Sequence, residues 1–341
     1  MLTDWCLKNG YTDIDNKFNL EFAQQIASEP RIKRIQTSGD LSEKIWKLVN
    51  NEVLEKRDDL QLRIFGYYSG PCDFKFLSKL SGLKSLTADS ISESRNIETI
   101  GELSNLKYLR LGIDDIKTFE FLKSLGPQLT HLSLRGTKSK RPDLNILENF
   151  GNLSSLSIHK HTKNIEIIGS LNKLRELNLA GIKISDFDFV HRLKDLNDFY
   201  IDLVSCENIS SIEGLKIEKF GISEIRKLTN VDFIGTFLNL RELDISYLNV
   251  VEDMKFKLSS DQLRRVSIDG MKLVKSLEFL HGNDALEDFF FRSSPSLLQP
   301  DDFIPISKLP NLKIATVGTG NVGKNNVIAD IFKSKKIKSL L

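Results

Sequence analysis

Apolar residues recur along this chain in a fixed cluster, Leu-x-x-Leu-x-Leu, with polar residues in the intervening positions. Leu106, Leu109 and Leu111 form one cluster, Leu129, Leu132 and Leu134 the next, and Leu174, Leu177 and Leu179 a third. Conservative copies replace leucine with isoleucine, valine or phenylalanine, as in Leu196-Phe199-Ile201, Leu263-Val266-Ile268 and Leu286-Phe289-Phe291. From residue 83 to residue 312 the cluster starts step by 23, 23, 24, 21, 22, 21, 23, 23, 23 and 26 residues. Weaker copies precede the series at Leu62-Ile64 and Ile32-Ile35. With the first leucine as position 1, alternation predicts a short strand with positions 1, 4 and 6 in the core. Positions 3, 5, 7 and 8 then face solvent. In the clearest unit, 174–195, Ile182, Ile184, Phe187, Val190 and Leu193 follow as apolar anchors for the return path. One such unit cannot bury its apolar edge alone, so neighbours must stack.

This series resembles the leucine-rich repeat family, in its short, internalin-like class, over about residues 59 to 320. The resemblance implies an α/β fold and a bacterial protein. The fold is a leucine-rich repeat solenoid, with a curved parallel sheet on the concave side, short helical or irregular segments on the convex side, and helical caps. The expected division is an N-terminal helical cap with a degenerate first repeat (1–58), the repeats (59–320) and a C-terminal cap (321–341). The family usually places asparagine just after the strand. Here that position holds Ile91, Asp114, Thr137, His161, Ile182, Val204, Ile225, Leu248 and Met271, so apolar packing is expected to hold those turns.

Caps are needed because an open end exposes core and strand edges. Phe18, Phe22 and Ile26 suggest one helix, closed by Pro30. Asp40 and Glu43 match a capping-box spacing before the apolar face of Ile45, Trp46, Leu48, Val49 and Val53. At the other end Val327, Ile328, Ile331, Phe332, Ile337 and Leu340 read as a small helix.

Composition narrows the picture. Lys and Arg number 48 and Asp and Glu 46, a net charge of +2, so global charge argues for neither nucleic acid nor an anionic membrane. No run of about 18 apolar residues predicts a membrane span, and the N-terminus does not read as a signal peptide. Cys6, Cys72 and Cys206 are three cysteines, odd in number and far apart, which suits a reducing cytoplasm.

Candidate chemistry is sparse. Gly318-Thr-Gly320-Asn-Val-Gly323-Lys324-Asn325 fits the phosphate-loop pattern, but Asn325 replaces the magnesium-binding Ser/Thr and too little chain follows for such a domain. A Gly-rich terminal turn is the favoured reading. His159 and His161 form an H-x-H pair that alternation puts on one face, two ligands where zinc wants three or four. No nucleophile motif appears. The expectation is a non-enzyme with no cofactor and no metal.

The predicted concave face carries the functional signal. In the six repeats starting at 174 through 286, its positions hold eight acids, Glu176, Asp198, Asp202, Glu224, Glu242, Asp244, Asp269 and Asp288, against three bases, Lys219, Arg265 and Arg292. Tyr200, Tyr247 and Phe290 sit among them as candidate anchors. Earlier repeats run the other way, with Arg63, Arg110, Arg135, Lys160, His131 and His159 against Asp89. The expected function is non-catalytic protein binding on the concave surface, with a protein partner of basic character. Alternatives are an immunity or inhibitor protein neutralising a basic toxin or nuclease, and an internalin-like surface adhesin. The acidic half disfavours nucleic acid, no membrane contact is expected, and a monomer is expected. Phe289-Phe290-Phe291 is a further candidate contact.

Overall fold

The computed structural model describes residues 1–139, 142–252, 254–258 and 261–339. Leu340, expected in the C-terminal cap, lies outside them. The chain divides into two compact units, 1–174 and 175–341.

The first unit begins with α1 (Asp4–Asn9), β1 (Tyr11–Asp13), α2 (Leu20–Ser28), β2 (Arg34–Thr37) and α3 (Glu43–Val49). There follow β3 (Gln61–Tyr67), β4 (Cys72–Asp73), β5 (Ser85–Ile91), β6 (Ser94–Arg95), β7 (Tyr108–Ile113), β8 (His131–Leu134) and β9 (Ser155–His159). Strands β1, β2, β3, β5, β7, β8 and β9 pair in that order, all parallel. The repeat sets their register. Position 4 aligns as Leu86, Leu109, Leu132 and Leu156, and position 6 as Ala88, Leu111, Leu134 and Ile158. All eight are buried. A parallel crossover must return before the next strand can pair, and here 3₁₀ turns such as Ile97–Glu102 and Glu120–Leu125 carry it.

The second unit repeats this plan. It contains β10 (Glu176–Ala180), β11 (Lys183–Ile184), β12 (Asp198–Asp202), β13 (Ser205–Cys206), β14 (Lys219–Ser223) and β15 (Glu242–Ser246). Then come β16 (Arg265–Asp269), β17 (Asp288–Arg292), α4 (Ile304–Ser307), β18 (Ile314–Gly318), α5 (Val322–Ser334) and β19 (Lys338–Ser339). Strands β10, β12, β14, β15, β16, β17, β18 and β19 form its parallel sheet. Phenylalanines fill the core behind it. Phe220 packs on Phe199 (6.0 Å between ring centroids), Phe237 (5.0 Å) and Phe233 (6.2 Å).

Both units therefore have the architecture of a leucine-rich repeat. The turn after the strand follows a rule of its own. Position 8 is left-handed in repeat after repeat: Ser90, Lys160, Gly181, Leu203, Glu224, Tyr247 and Gly270 all have positive φ. In the second unit this bend aims the position-8 N–H at the position-7 carbonyl of the next repeat. Gly181 donates to Asp202 (2.9 Å), Glu224 to Ser246 (3.1 Å), Tyr247 to Asp269 (2.9 Å) and Gly270 to Arg292 (2.7 Å). The next residue turns inward, and Ile182, Val204, Ile225, Leu248 and Met271 are buried.

An amide series also exists, one residue before the first leucine of five of the repeats. Asn105 donates to the Ser81 carbonyl (2.8 Å), Gln128 to Leu103 (2.7 Å) and Asn152 to Pro127 (2.7 Å). In the second unit Asn239 donates to Lys216 (3.4 Å) and Asn311 to Asp284 (2.8 Å). Each side chain donates to a return-path carbonyl of the preceding repeat, and that of Leu103 also accepts the Leu106 N–H (3.1 Å).

Several expectations are corrected. Ser42 precedes α3 as its cap, while Asp40 accepts a hydrogen bond from the Tyr67 hydroxyl (3.0 Å). The N-terminal segment contributes β1 as well as β2 to the sheet. Val327 is 50% exposed, because α5 packs through Ile328, Ala329 and Phe332 instead. Ile337 lies beyond that helix, leading into β19. Phe289 and Phe291 are buried, and alternation leaves Phe290 alone on the open face.

Candidate functional site

The open face of the second unit is built by register. Along position 3, Glu176, Asp198, Lys219, Glu242, Arg265 and Asp288 lie on successive paired strands. Opposite charges in neighbouring strands attract, and this row is an ion-pair series. Lys219 reaches Asp198 (3.3 Å) and Glu242 (3.9 Å), while Arg265 reaches Glu242 (3.9 Å) and Asp288 (3.2 Å). Along position 7, Arg292 grips Asp269, with Nε at 3.0 Å from one carboxylate oxygen. The three bases thus engage four of the eight acids. Among the described residues, no ion pair reaches the others, Glu176, Asp202, Glu224 and Asp244.

The aromatic residues are placed by glycines. Tyr200 lies opposite Gly221 on the next strand, and a Cβ there would fall 2.3 Å from a ring carbon of Tyr200. The ring is therefore laid across the bare glycine backbone. Tyr247 does the same over Gly270, where a Cβ would meet its ring at 2.4 Å. Tyr247 itself is left-handed at φ 53°, a backbone uncommon outside glycine. The two rings remain 36% and 43% exposed, flat on the sheet among carboxylates.

Titration reflects the crowding. Desolvation raises the Asp244 carboxyl, against a hydrogen bond from Ser267, and nearby Asp269 raises it further. Desolvation also raises Asp198, with Lys219 opposing and Glu176 and Glu242 adding to it. Lys219 is raised by Asp198 first and then by Glu242. Asp198 thus shifts upward chiefly through burial, and Lys219 through its two carboxylate neighbours. A carboxyl raised in the fold costs stability when ionised, a cost that disappears as pH falls through its folded value. Asp244→Asn is therefore expected to raise the melting temperature at neutral pH. Melting curves across the carboxylate range should show the gain shrinking on acidification.

In the first unit Arg110 lies between Thr87 and Ser133 in register, its Nε buried without a hydrogen-bond partner. His131 stacks near Tyr108 with ring centroids 6.0 Å apart, and its Nδ1 is 2.9 Å from the Thr130 hydroxyl. The Arg135 and Lys160 side chains lie over Gly112 and Gly136, and His159 Nδ1 accepts from the Gly136 N–H (3.3 Å). Asp89 is not an open carboxylate. It is buried at 7% exposure in a two-pronged pair with Arg63 (2.9 and 3.2 Å).

All sixteen expected partner-facing residues, from Arg110 to Phe290, are exposed or half-buried. The His159–His161 pair is not on one face. Left-handed Lys160 (φ 69°) breaks the alternation and sends His161 inward to 3% exposure. There Nε2 lies 3.0 Å from the Arg135 carbonyl, the Phe119 ring meets it edge-on, and burial lowers its pKa. Among the described residues no group of three or more His, Cys, Asp or Glu side chains could hold a metal ion.

The Gly318–Asn325 motif is a strand-to-helix turn between β18 and α5. Asn321 caps α5 through the Lys324 N–H (3.0 Å). Asn325 Oδ1 accepts from both the Thr319 N–H (2.9 Å) and hydroxyl (2.7 Å). Lys324 Nζ turns back to the Leu298 carbonyl (3.4 Å). The motif's polar groups thus brace the turn.

Clefts among the described residues were not foreseen, and two of them concern the second unit's face and loops. One, of about 640 Å³, lies between the 203–213 and 224–233 loops and includes half-buried Cys206, whose thiol is raised by burial. The other, of about 480 Å³, lies between the open face of β17 and β18 and the start of α5. The exposed valine at 322 was its available signal, hidden by the phosphate-loop pattern around it.

No protein-family model matches the sequence, and no curated protein matches it. Solved structures do. An internalin from Listeria monocytogenes is 19% identical, with 94% of this chain and 88% of that chain covered, at a TM-score of 0.46. A leucine-rich repeat protein from Leptospira interrogans is 14% identical, with 99% and 98% covered, also at 0.46. A plant peptide hormone receptor, solved in complex with its peptide, is 17% identical, with 93% and 52% covered, at 0.43.

Proposed function

We propose that this chain is a protein-binding leucine-rich repeat scaffold rather than an enzyme, and that the open face of its second unit receives a basic partner. One observation carries the reading: two tyrosine rings lie flat on glycines, half exposed, on a face with carboxylates that no ion pair among the described residues reaches. Tyrosine on a preformed surface supplies contact area at low entropic cost, and the uncompensated acids supply attraction and steering. Masking of a basic toxin or nuclease is the narrower form of this proposal. Three free cysteines support the cytoplasm as its compartment.

The test compares wild type, Tyr200→Ala/Tyr247→Ala and Asp202→Lys/Asp244→Lys as baits in a lysate of the native host, at low and high salt. A basic protein is expected on the wild type at low salt. High salt should release it, and each double variant should weaken its binding at least about tenfold. A partner held equally by all three baits would reject this face as the binding surface. The lysine variant leaves the existing ion pairs intact, so its effect reports on the partner rather than on the sheet.

A further inference from the structure

The cleft at the end of the second unit's sheet has the features of an anchor pocket. Its floor is Phe290 and Thr316, adjacent in register on β17 and β18, and its wall is Val322, the first residue of α5. Val322 is 76% exposed, a large apolar side chain with no core to join. Two of the polar groups at its edge are already engaged. Arg292 is paired with Asp269 and lies over the Phe290 ring (5.8 Å), and Asn325 accepts from Thr319. With Phe290 on the floor and Val322 on the wall, an apolar side chain meets mainly apolar surface on entering.

Charge says what flanks that side chain. Asp244, Ser267 and Phe290 lie on three successive strands at the same register position. Neighbouring strands are about 4.8 Å apart, so Asp244 lies about 10 Å from Phe290, and an extended chain covers that span in about three residues. Asp244 meets no ion pair among the described residues, and desolvation already disfavours its lone charge. A cation placed beside it relieves that cost.

We infer that this cleft receives a bulky apolar side chain of an extended partner segment that carries a lysine or arginine about three residues away, crossing the strands toward Asp244. The inference rests on the proposed partner-binding function and names the partner's chemistry at one end of the face.

The probe is the peptide acetyl-Lys-Lys-Ala-Ala-Phe-amide on the full chain, followed by saturation-transfer NMR and by titration. The ring protons of its phenylalanine are expected to receive the strongest transfer. The alanine-for-phenylalanine peptide should bind at least about tenfold more weakly. Asp244→Asn and high salt should each weaken the parent peptide several-fold. Thr316→Trp, which fills the cleft, should abolish binding. Val322→Gln changes a side chain outside the core and keeps the test valid if the tryptophan variant misfolds; it too should weaken binding. No transfer at millimolar peptide, or equal binding of both peptides, would overturn the inference. So would sedimentation showing a dimer of this chain that Val322→Gln disperses, since a second copy would then be the occupant. If the lysate partner is lost on Tyr200→Ala/Tyr247→Ala but kept on Thr316→Trp, the anchor pocket fails while the broader function stands.

Discussion

Phe220→Ala is expected to destabilise the second unit by about 3–5 kcal/mol, the usual cost of deleting a fully enclosed phenylalanine. Phe220 is 1% exposed and meets three other rings, two of them edge-on, so no flexible neighbour stands ready to collapse into the space. The site of the loss is the sheet layer beneath Tyr200 and Gly221. Urea unfolding followed by circular dichroism gives the size of the loss. Partner capture at a temperature where the variant remains folded should show weaker binding, because the platform is held from below. Phe220→Leu, which restores most of the volume, should recover most of the stability.

Gly101→Ala is expected to cost about 2–3 kcal/mol although it adds one methyl group. The glycine is not in a left-handed conformation. Its constraint is the return path of the following repeat, whose Phe121 carbonyl oxygen would lie 2.1 Å from the new Cβ. That atom is backbone and cannot rotate away, and Ser124 holds the Gly101 carbonyl from the same segment. The 3₁₀ turns Ile97–Glu102 and Glu120–Leu125 must therefore separate. A urea midpoint unchanged from wild type would show that they do so freely. Gly151, where a Cβ meets nothing within 4 Å, is the matched control and should tolerate alanine.

The strands and their register were legible from the spacing of leucines, because a period of two over six residues leaves one way to bury them. The missed features all depend on departures from that alternation or on contacts between repeats. His161 faces inward because one residue before it is left-handed, and Lys160 carries no local signal for that state. The amide series at Asn105, Gln128, Asn152, Asn239 and Asn311 was visible as a column of amides, but it stands before the leucine rather than after the strand. β1 was hidden because Tyr11-Thr12-Asp13 has no leucine cluster. The acidic face was legible as composition. Its division into paired and unpaired carboxylates was not, since that depends on which side chains the register brings side by side.

Beside the strand pairing and the ion pairs of the open face, two further sets of bonds join the repeats, the left-handed bend after the strand and the amide before it. Neither uses the side chains at positions 3 and 5 of the open face. These two sets of bonds are thus written in letters of the repeat other than its outward positions 3 and 5. The outward side chains at positions 3 and 5 can therefore change one residue at a time while the bend and amide bonds stay as they are.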